Sequence, residues 1–269
     1  MDKRSNSSYE NIKNAKRIVI KVGTSTLTYD TGKMNIKRID ILARTLSDLH
    51  NSGKDIVLVS SGAVGAAMGK LGIDERPEET NIKQALAAVG QCELMYLYDK
   101  LFSEYHNTVA QVLLTKDDIS VPNRMNNTKN TFKTLLDMGI IPIVNENDTV
   151  STDELEIGDN DNLSALVAEL VDADLLILFS DIDGLYDCDP HNNPDAKIIP
   201  LVENVENVKS LAGGAGTKRG TGGMVTKLEA AKRAIGAGIN MIIANGNNIS
   251  ALYDIFEGKE VGTLFVSNK

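Results

Sequence analysis

The stretches RIVIKVGTS, residues 17–25, and DIVLVSSGAVG, residues 55–65, decide the fold, because each is a short aliphatic run that stops at small polar residues and glycine. A run of this length bounded by glycine predicts a buried strand, here over 17–22 and 55–59. Between them Ile39, Leu42, Leu46 and Leu49 recur at helical spacing, with Asn35 placed to cap the start and Gly53 to end it. The alternation then repeats along the chain. Helical spacing runs through Ile82, Leu86, Val89, Leu94, Leu97 and Leu101, and a strand is predicted over 108–114. A helix near 128–138 precedes a strand over 140–144 that Pro142 weakens. The stripe Leu163, Leu166, Val167 and Leu170 leads into a strand over 175–179. A helix over 225–237, a strand over 239–244 and a last one near 262–266 complete the pattern. Strands alternating with helices predict a mostly parallel central sheet with helices on both sides, a three-layer αβα sandwich.

Around this frame, residues 1–14 read as a polar, flexible extension and 15–269 as one domain. The turn-rich stretch 183–210, with its Asp-Pro and Asn-Pro pairs, predicts short hairpins, and 213–223 reads as a glycine loop. Lys and Arg number 28 against 37 Asp and Glu, a formal charge of −9, which argues against a nucleic-acid partner because that affinity comes from neutralising phosphates. Cys92 and Cys188 are too few and too far apart for a disulfide framework or zinc site, and read as reduced thiols. His50, His106 and His191 stand apart and read as surface or loop residues. No apolar run is long enough to span a bilayer, and the polar start is no secretory signal, so the expected location is cytoplasmic, away from membranes.

In a parallel α/β sheet, ligands bind beyond the carboxyl ends of the strands. Four segments fall there. Lys21-Val22-Gly23-Thr24-Ser25 places a lysine inside a strand. Alone it reads as an edge-strand lysine facing solvent, but the glycine and hydroxyls after it favour a phosphate contact. Ser60-Ser61-Gly62-Ala63 suits either a tight packing turn or a ligand at a helix N-terminus. Asn145-Glu146-Asn147-Asp148 and Gly158-Asp159-Asn160-Asp161-Asn162 concentrate acids and amides beyond what one helix cap needs. They point to an ammonium group or a metal–nucleotide complex, and the second fails the calcium-loop pattern. Gly220-Thr221-Gly222-Gly223-Met224-Val225-Thr226-Lys227 sets a glycine loop and a lysine at a helix start, where free N–H groups attract anions. It has neither Walker A nor GxGxxG spacing. Together these segments indicate a phosphate site with Lys21, Lys227 and the Asp161 carboxylate.

Six segments in this order, VIKVGTS (19–25), VSSGAVGAA (59–67), VNENDTVS (144–151), IGDNDNLSALVA (157–168), SDIDGLYDCDP (180–190) and GTGGMVTKLEAA (220–231), resemble the signatures of the glutamate 5-kinase (γ-glutamyl kinase) branch of the amino-acid kinase family. The resemblance covers roughly residues 15–269, in the form that lacks a C-terminal PUA domain. It implies the amino-acid kinase fold and phosphorylation of the γ-carboxylate of L-glutamate by ATP, with Mg²⁺ held mainly by the ATP phosphates and no metal-ligating residue assigned. By matching position, Lys21 and Lys227 stabilise the transferring phosphoryl group and Asp161 orients them. Ser61, Asp148 and Asn160 hold glutamate. Lys21, Ser180, Asp181 and the loop residues Thr221, Gly222, Gly223, Met224, Val225, Thr226 and Lys227 contact the nucleotide. The family usually has Thr where Ser180 stands. Proline as feedback inhibitor and a homo-oligomer are further expectations of the resemblance.

Overall fold

The strand-forming runs owe their regularity to burial on both faces of a sheet, which is what a parallel strand flanked by helices requires. The computed structural model describes residues 3–29, 31–150, 160–190, 192–212 and 223–267. In chain order the elements are α1 (Lys3–Ile12), β1 (Arg17–Val22), α2 (Thr24–Leu27), α3 (Ile36–Asn51), β2 (Asp55–Ser60), α4 (Ala63–Leu71), α5 (Thr80–Ser103) and β3 (Val109–Leu114). They continue with α6 (Lys116–Ser120), α7 (Pro122–Asp137), β4 (Ile141–Glu146), α8 (Asn160–Leu170), β5 (Leu175–Ser180) and β6 (Leu201–Val202), then a 3-10 helix (Val205–Ala212). α9 (Met224–Gly236), β7 (Asn240–Asn245), α10 (Ala251–Phe256) and β8 (Thr263–Phe265) end the chain. Asn35 caps α3 as its position predicts, its side chain accepting the Arg38 N–H. Among the described residues no helix is long and apolar enough to cross a membrane.

The strands form one sheet in the order β3-β4-β2-β1-β5-β7-β8-β6, parallel except where β8 runs against β7. The predicted αβα sandwich is therefore the observed one. β1 lies between β2 and β5, where the chain turns from building one half of the sheet to building the other. That reversal opens a crevice at the carboxyl ends of the strands. Alternation along β1 divides the core: Ile18, Ile20 and Val22 pack with Leu42, Leu46, Tyr98 and Phe102, while Val19 packs on the opposite side with Leu163, Val167 and Ala231. Lys21 shares the Val19 side, beneath α8 and α9. Pro142 is tolerated because the ladder from β4 to β2 starts only at Ile143.

Four local readings are corrected. The predicted flexible extension instead contains α1, whose Tyr9 and Ile12 are buried at 1% and 2% exposure. The Tyr9 hydroxyl donates to the Pro200 and Val261 carbonyls at 3.1 and 3.3 Å, tying the amino end to the far edge of the sheet. Residues 183–210 hold one short hairpin, an antiparallel bridge between Tyr186 and Ile198 as expected, but then continue as β6 and the 3-10 helix where further hairpins were expected. On α5, Ile82 and Val89 are 41% and 39% exposed, because the helix turns Leu86, Gly90, Leu94, Tyr98 and Phe102 inward. Finally, Lys21 stands on a central strand at 8% exposure, so the edge-strand reading of this lysine is excluded.

Candidate active site

A lysine in the middle of a parallel sheet is costly unless its ammonium group meets an anion. Lys21 is the fifth of six residues in β1, so its side chain reaches the carboxyl end of the sheet. There its Nζ lies 2.6 Å from Oδ1 of Asp161, in the first turn of α8. Lys227, in the first turn of α9, donates to the other oxygen, Oδ2, at 3.1 Å. The Thr226 hydroxyl approaches the same oxygen at 3.2 Å and also donates to the Gly223 carbonyl at 2.8 Å. All three charges are buried, Asp161 at 1% exposure and Lys227 at 6%. Burial alone would raise the Asp161 carboxyl, yet the adjacent Lys21 and Lys227 ammonium groups outweigh it and hold the group below the usual carboxylate range. The cluster keeps one net positive charge where the N-termini of α8 and α9 converge.

Beside it runs a row of hydrogen-bonded amides. The Asn160 side-chain amide donates to Ser61 Oγ at 2.7 Å and to Asn145 Oδ1 at 3.1 Å. Asn145 in turn donates to Gln91 Oε1 at 2.9 Å. Ser61 and Asn160 are thus brought together, as the sequence reading requires. Gln91 was not legible, since a lone glutamine on a long helix carries no local signal. Its neighbour Gly90 explains how α5 comes so close: a Cβ there would meet the Ala63 carbonyl oxygen at 1.6 Å. The Ser60-Ser61-Gly62-Ala63 turn therefore serves packing and site alike, with Gly62 at φ 98°, a left-handed conformation suited to glycine.

Asp148 lies just past β4, partly buried, with burial raising its carboxyl and the Arg76 charge opposing. Glu146 ends β4, and burial followed by repulsion from Asp148 raises it to about 8. On the other half of the sheet, Ser180 ends β5 and its hydroxyl donates to Asp181 Oδ1 at 3.1 Å. Gly223 stands at the N-cap of α9 without a side-chain cap, followed by Met224, Val225 and Thr226. Thr221 and Gly222 lie outside the described residues. Among the described residues no three His, Cys, Asp or Glu side chains converge as a metal cage.

A family profile described as the amino acid kinase family matches residues 16–245. A glutamate 5-kinase of Clostridium perfringens is 56% identical over 96% of this chain and 98% of its own length. One from Listeria innocua is 52% identical over 97% and 96%. One from a Thermoanaerobacter species is 52% identical over 94% of this chain but 68% of its own. Among solved structures, a carbamate kinase from Giardia lamblia bound to AMP-PNP superposes with a TM-score of 0.68 at 19% identity, covering 95% of this chain and 100% of that one. A UMP kinase from Bacillus anthracis does so at 0.65 and 18%, covering 95% and 97%. These two likenesses concern the fold alone. The fold, the profile and the identity across nearly the whole chain together place this protein in the amino acid kinase family, among the glutamate 5-kinases.

Proposed function

We infer that the chain transfers the γ-phosphoryl group of ATP to the γ-carboxylate of L-glutamate, yielding L-glutamyl 5-phosphate and ADP, the first step of proline biosynthesis. The observation that carries this reading is the buried Asp161 carboxylate holding the Lys21 and Lys227 ammonium groups at 2.6 and 3.1 Å. Phosphoryl transfer asks for positioned positive charge more than for covalent chemistry. The γ-carboxylate of glutamate has a pKa of about 4.3 and is already an ionised nucleophile near neutral pH. No general base is required. Asp161 suits none, because a carboxylate held below its ordinary range by two ammonium groups takes up protons poorly. Its role is to aim both lysines at the migrating group.

Asp148 and the Asn145–Asn160–Ser61 row, with its amide orientations already set by hydrogen bonds, hold glutamate. Ser180, Asp181 and the uncapped start of α9, preceded by Thr221 and Gly222, receive the nucleotide, whose phosphates suit the free N–H groups there. The donor set fits a magnesium ion delivered with ATP, since both Asp161 oxygens face lysines and no three-carboxylate cage exists among the described residues. When bound, Mg²⁺ neutralises phosphate charge. Inhibition by proline, assembly of like subunits and a cytoplasmic location accompany this reading.

The test is a coupled ADP-release assay with L-glutamate, L-aspartate and N-acetylglutamate in parallel. Turnover with L-glutamate alone is expected, because acetylation removes the ammonium group that Asp148 binds. Preference for N-acetylglutamate, or no turnover with any of the three, would overturn the reading.

A further inference from the structure

Asn145-Glu146-Asn147-Asp148 carries two carboxylates within three residues, and the second has a role in the functional reading while the first has none. Glu146 is the last residue of β4, an interior strand between β3 and β2. Val144 packs on the face of the sheet that also holds Val59, Val19 and Leu163, so alternation assigns Glu146 to that face, the one shared by Lys21. Asn145, directly before it, turns to the other face, where it meets Gln91 and the amide row. One oxygen of the Glu146 carboxyl, Oε1, is wholly buried and has no hydrogen-bond partner among the described residues. Such an acceptor costs free energy as long as nothing donates to it. Asp148 brings a like charge near Glu146, and the Arg76 cation acts on Asp148. The chain thus keeps a strand-end carboxyl near a second carboxyl, with acceptor capacity on its buried oxygen.

We propose that Glu146 is a substrate-binding residue which, together with Asp148, receives the α-ammonium group of the amino-acid substrate. This rests on the functional reading above and deepens it. An ammonium group has three N–H donors in a compact head, enough to serve both carboxyls. It also relieves the repulsion between them. A divalent metal fits less well, because magnesium demands a near-octahedral oxygen shell and no third acidic ligand or histidine converges here among the described residues. The arrangement selects free amino acids over N-acylated or deaminated analogues of the same length. Losing the ammonium leaves two carboxyls to be buried without a donor, and sites of this kind discriminate strongly.

The test compares the wild-type chain with Glu146→Gln and Glu146→Asp, by KM and kcat for L-glutamate. The inhibition constant of glutarate, which lacks only the α-ammonium group, is measured alongside. Glu146→Gln is expected to raise the KM for L-glutamate about tenfold or more, the scale of a charge-assisted hydrogen bond, with kcat nearly unchanged. Glutarate inhibition holds at the wild-type value or tightens, since a like charge is removed, and Glu146→Asp restores part of the glutamate affinity. Thermal melting checks that each variant folds, and direct titration of glutamate into a folded but slow variant gives the same comparison. Equal losses for glutamate and glutarate, or a glutamate KM that does not move, would overturn the inference alone. A shift in the half-saturating magnesium concentration in place of the glutamate KM would overturn it in favour of a metal ligand. A wild-type chain inactive on L-glutamate would instead overturn the functional reading, and this inference with it.

Discussion

Replacing Asp161 by Asn removes one charge and changes almost no volume, which isolates what the carboxylate does for its two lysines. Asp161 is 1% exposed, Lys21 8% and Lys227 6%, so solvent can do little to compensate. With separations of 2.6 and 3.1 Å and an effective dielectric of about 20, each direct attraction is about 5–6 kcal/mol. Desolvation of the three groups offsets much of this, and breaking a buried pair by removing one partner costs about 3–5 kcal/mol net. In a domain of this size that lowers the melting temperature by about 10 °C. The folded pKa of Asp161 is depressed, so its contribution is complete above the ordinary carboxylate value and is lost as pH falls through the folded one. The stability gap between wild type and Asp161→Asn should therefore be flat at neutral pH and narrow only in acid. For catalysis, two lysines freed from their common anchor repel each other and no longer converge. We expect kcat to fall by about a hundredfold to a thousandfold, the scale of losing a preorganised electrostatic contact. ATP binding should hold or tighten, because the pocket gains positive charge. The assay is steady-state ADP release with a parallel ATP-binding titration and melts from pH 3 to 8. A kcat within about threefold of wild type would refute the anchoring argument.

Lys227→Ala should reduce kcat by about a hundredfold or more while the KM for L-glutamate changes little, since its ammonium group faces Asp161 and not the amide row. A KM effect larger than the kcat effect in the same assay would reassign the residue. Gly90→Ala should cost about 3 kcal/mol in urea unfolding, because its Cβ would fall 1.6 Å from the Ala63 carbonyl oxygen and 2.9 Å from the Ala67 nitrogen, both backbone atoms. A midpoint equal to wild type would show that α4 and α5 part freely. Glu146→Gln should raise the melting temperature, by an amount that grows with pH. Wild-type Glu146 has a folded pKa raised to about 8, so the native state keeps a proton that the unfolded chain releases from about pH 4.5 upward. Wild-type stability therefore drops across that window and levels off above it, whereas Gln has nothing to ionise. A gain independent of pH between 4.5 and 8 would exclude this account.

Much of the site was readable as local chemistry. Lys21, Asp161 and Lys227 each sit at a predicted strand end or helix start beside glycine or Asx residues, and the ordered motifs assigned them to one reaction centre. The alternation of aliphatic runs with helical stripes likewise determined the αβα layering, because side-chain period and glycine breaks act over a few residues. Strand order lies beyond that range. Whether Lys21 faced solvent or Asp161 depended on β5 pairing with β1 across more than 150 residues of chain, and only then did burial make an anionic partner necessary. Gln91 joined the site because Gly90 let α5 touch the start of α4. Tyr9 turned a polar amino end into a docked helix by finding carbonyls near the opposite end of the chain. The sequence by itself determined which residues could carry phosphoryl-transfer chemistry and how the elements alternate. Tertiary structure alone decided which charges share a buried space, since desolvation and ion pairing depend on neighbours far away in the chain.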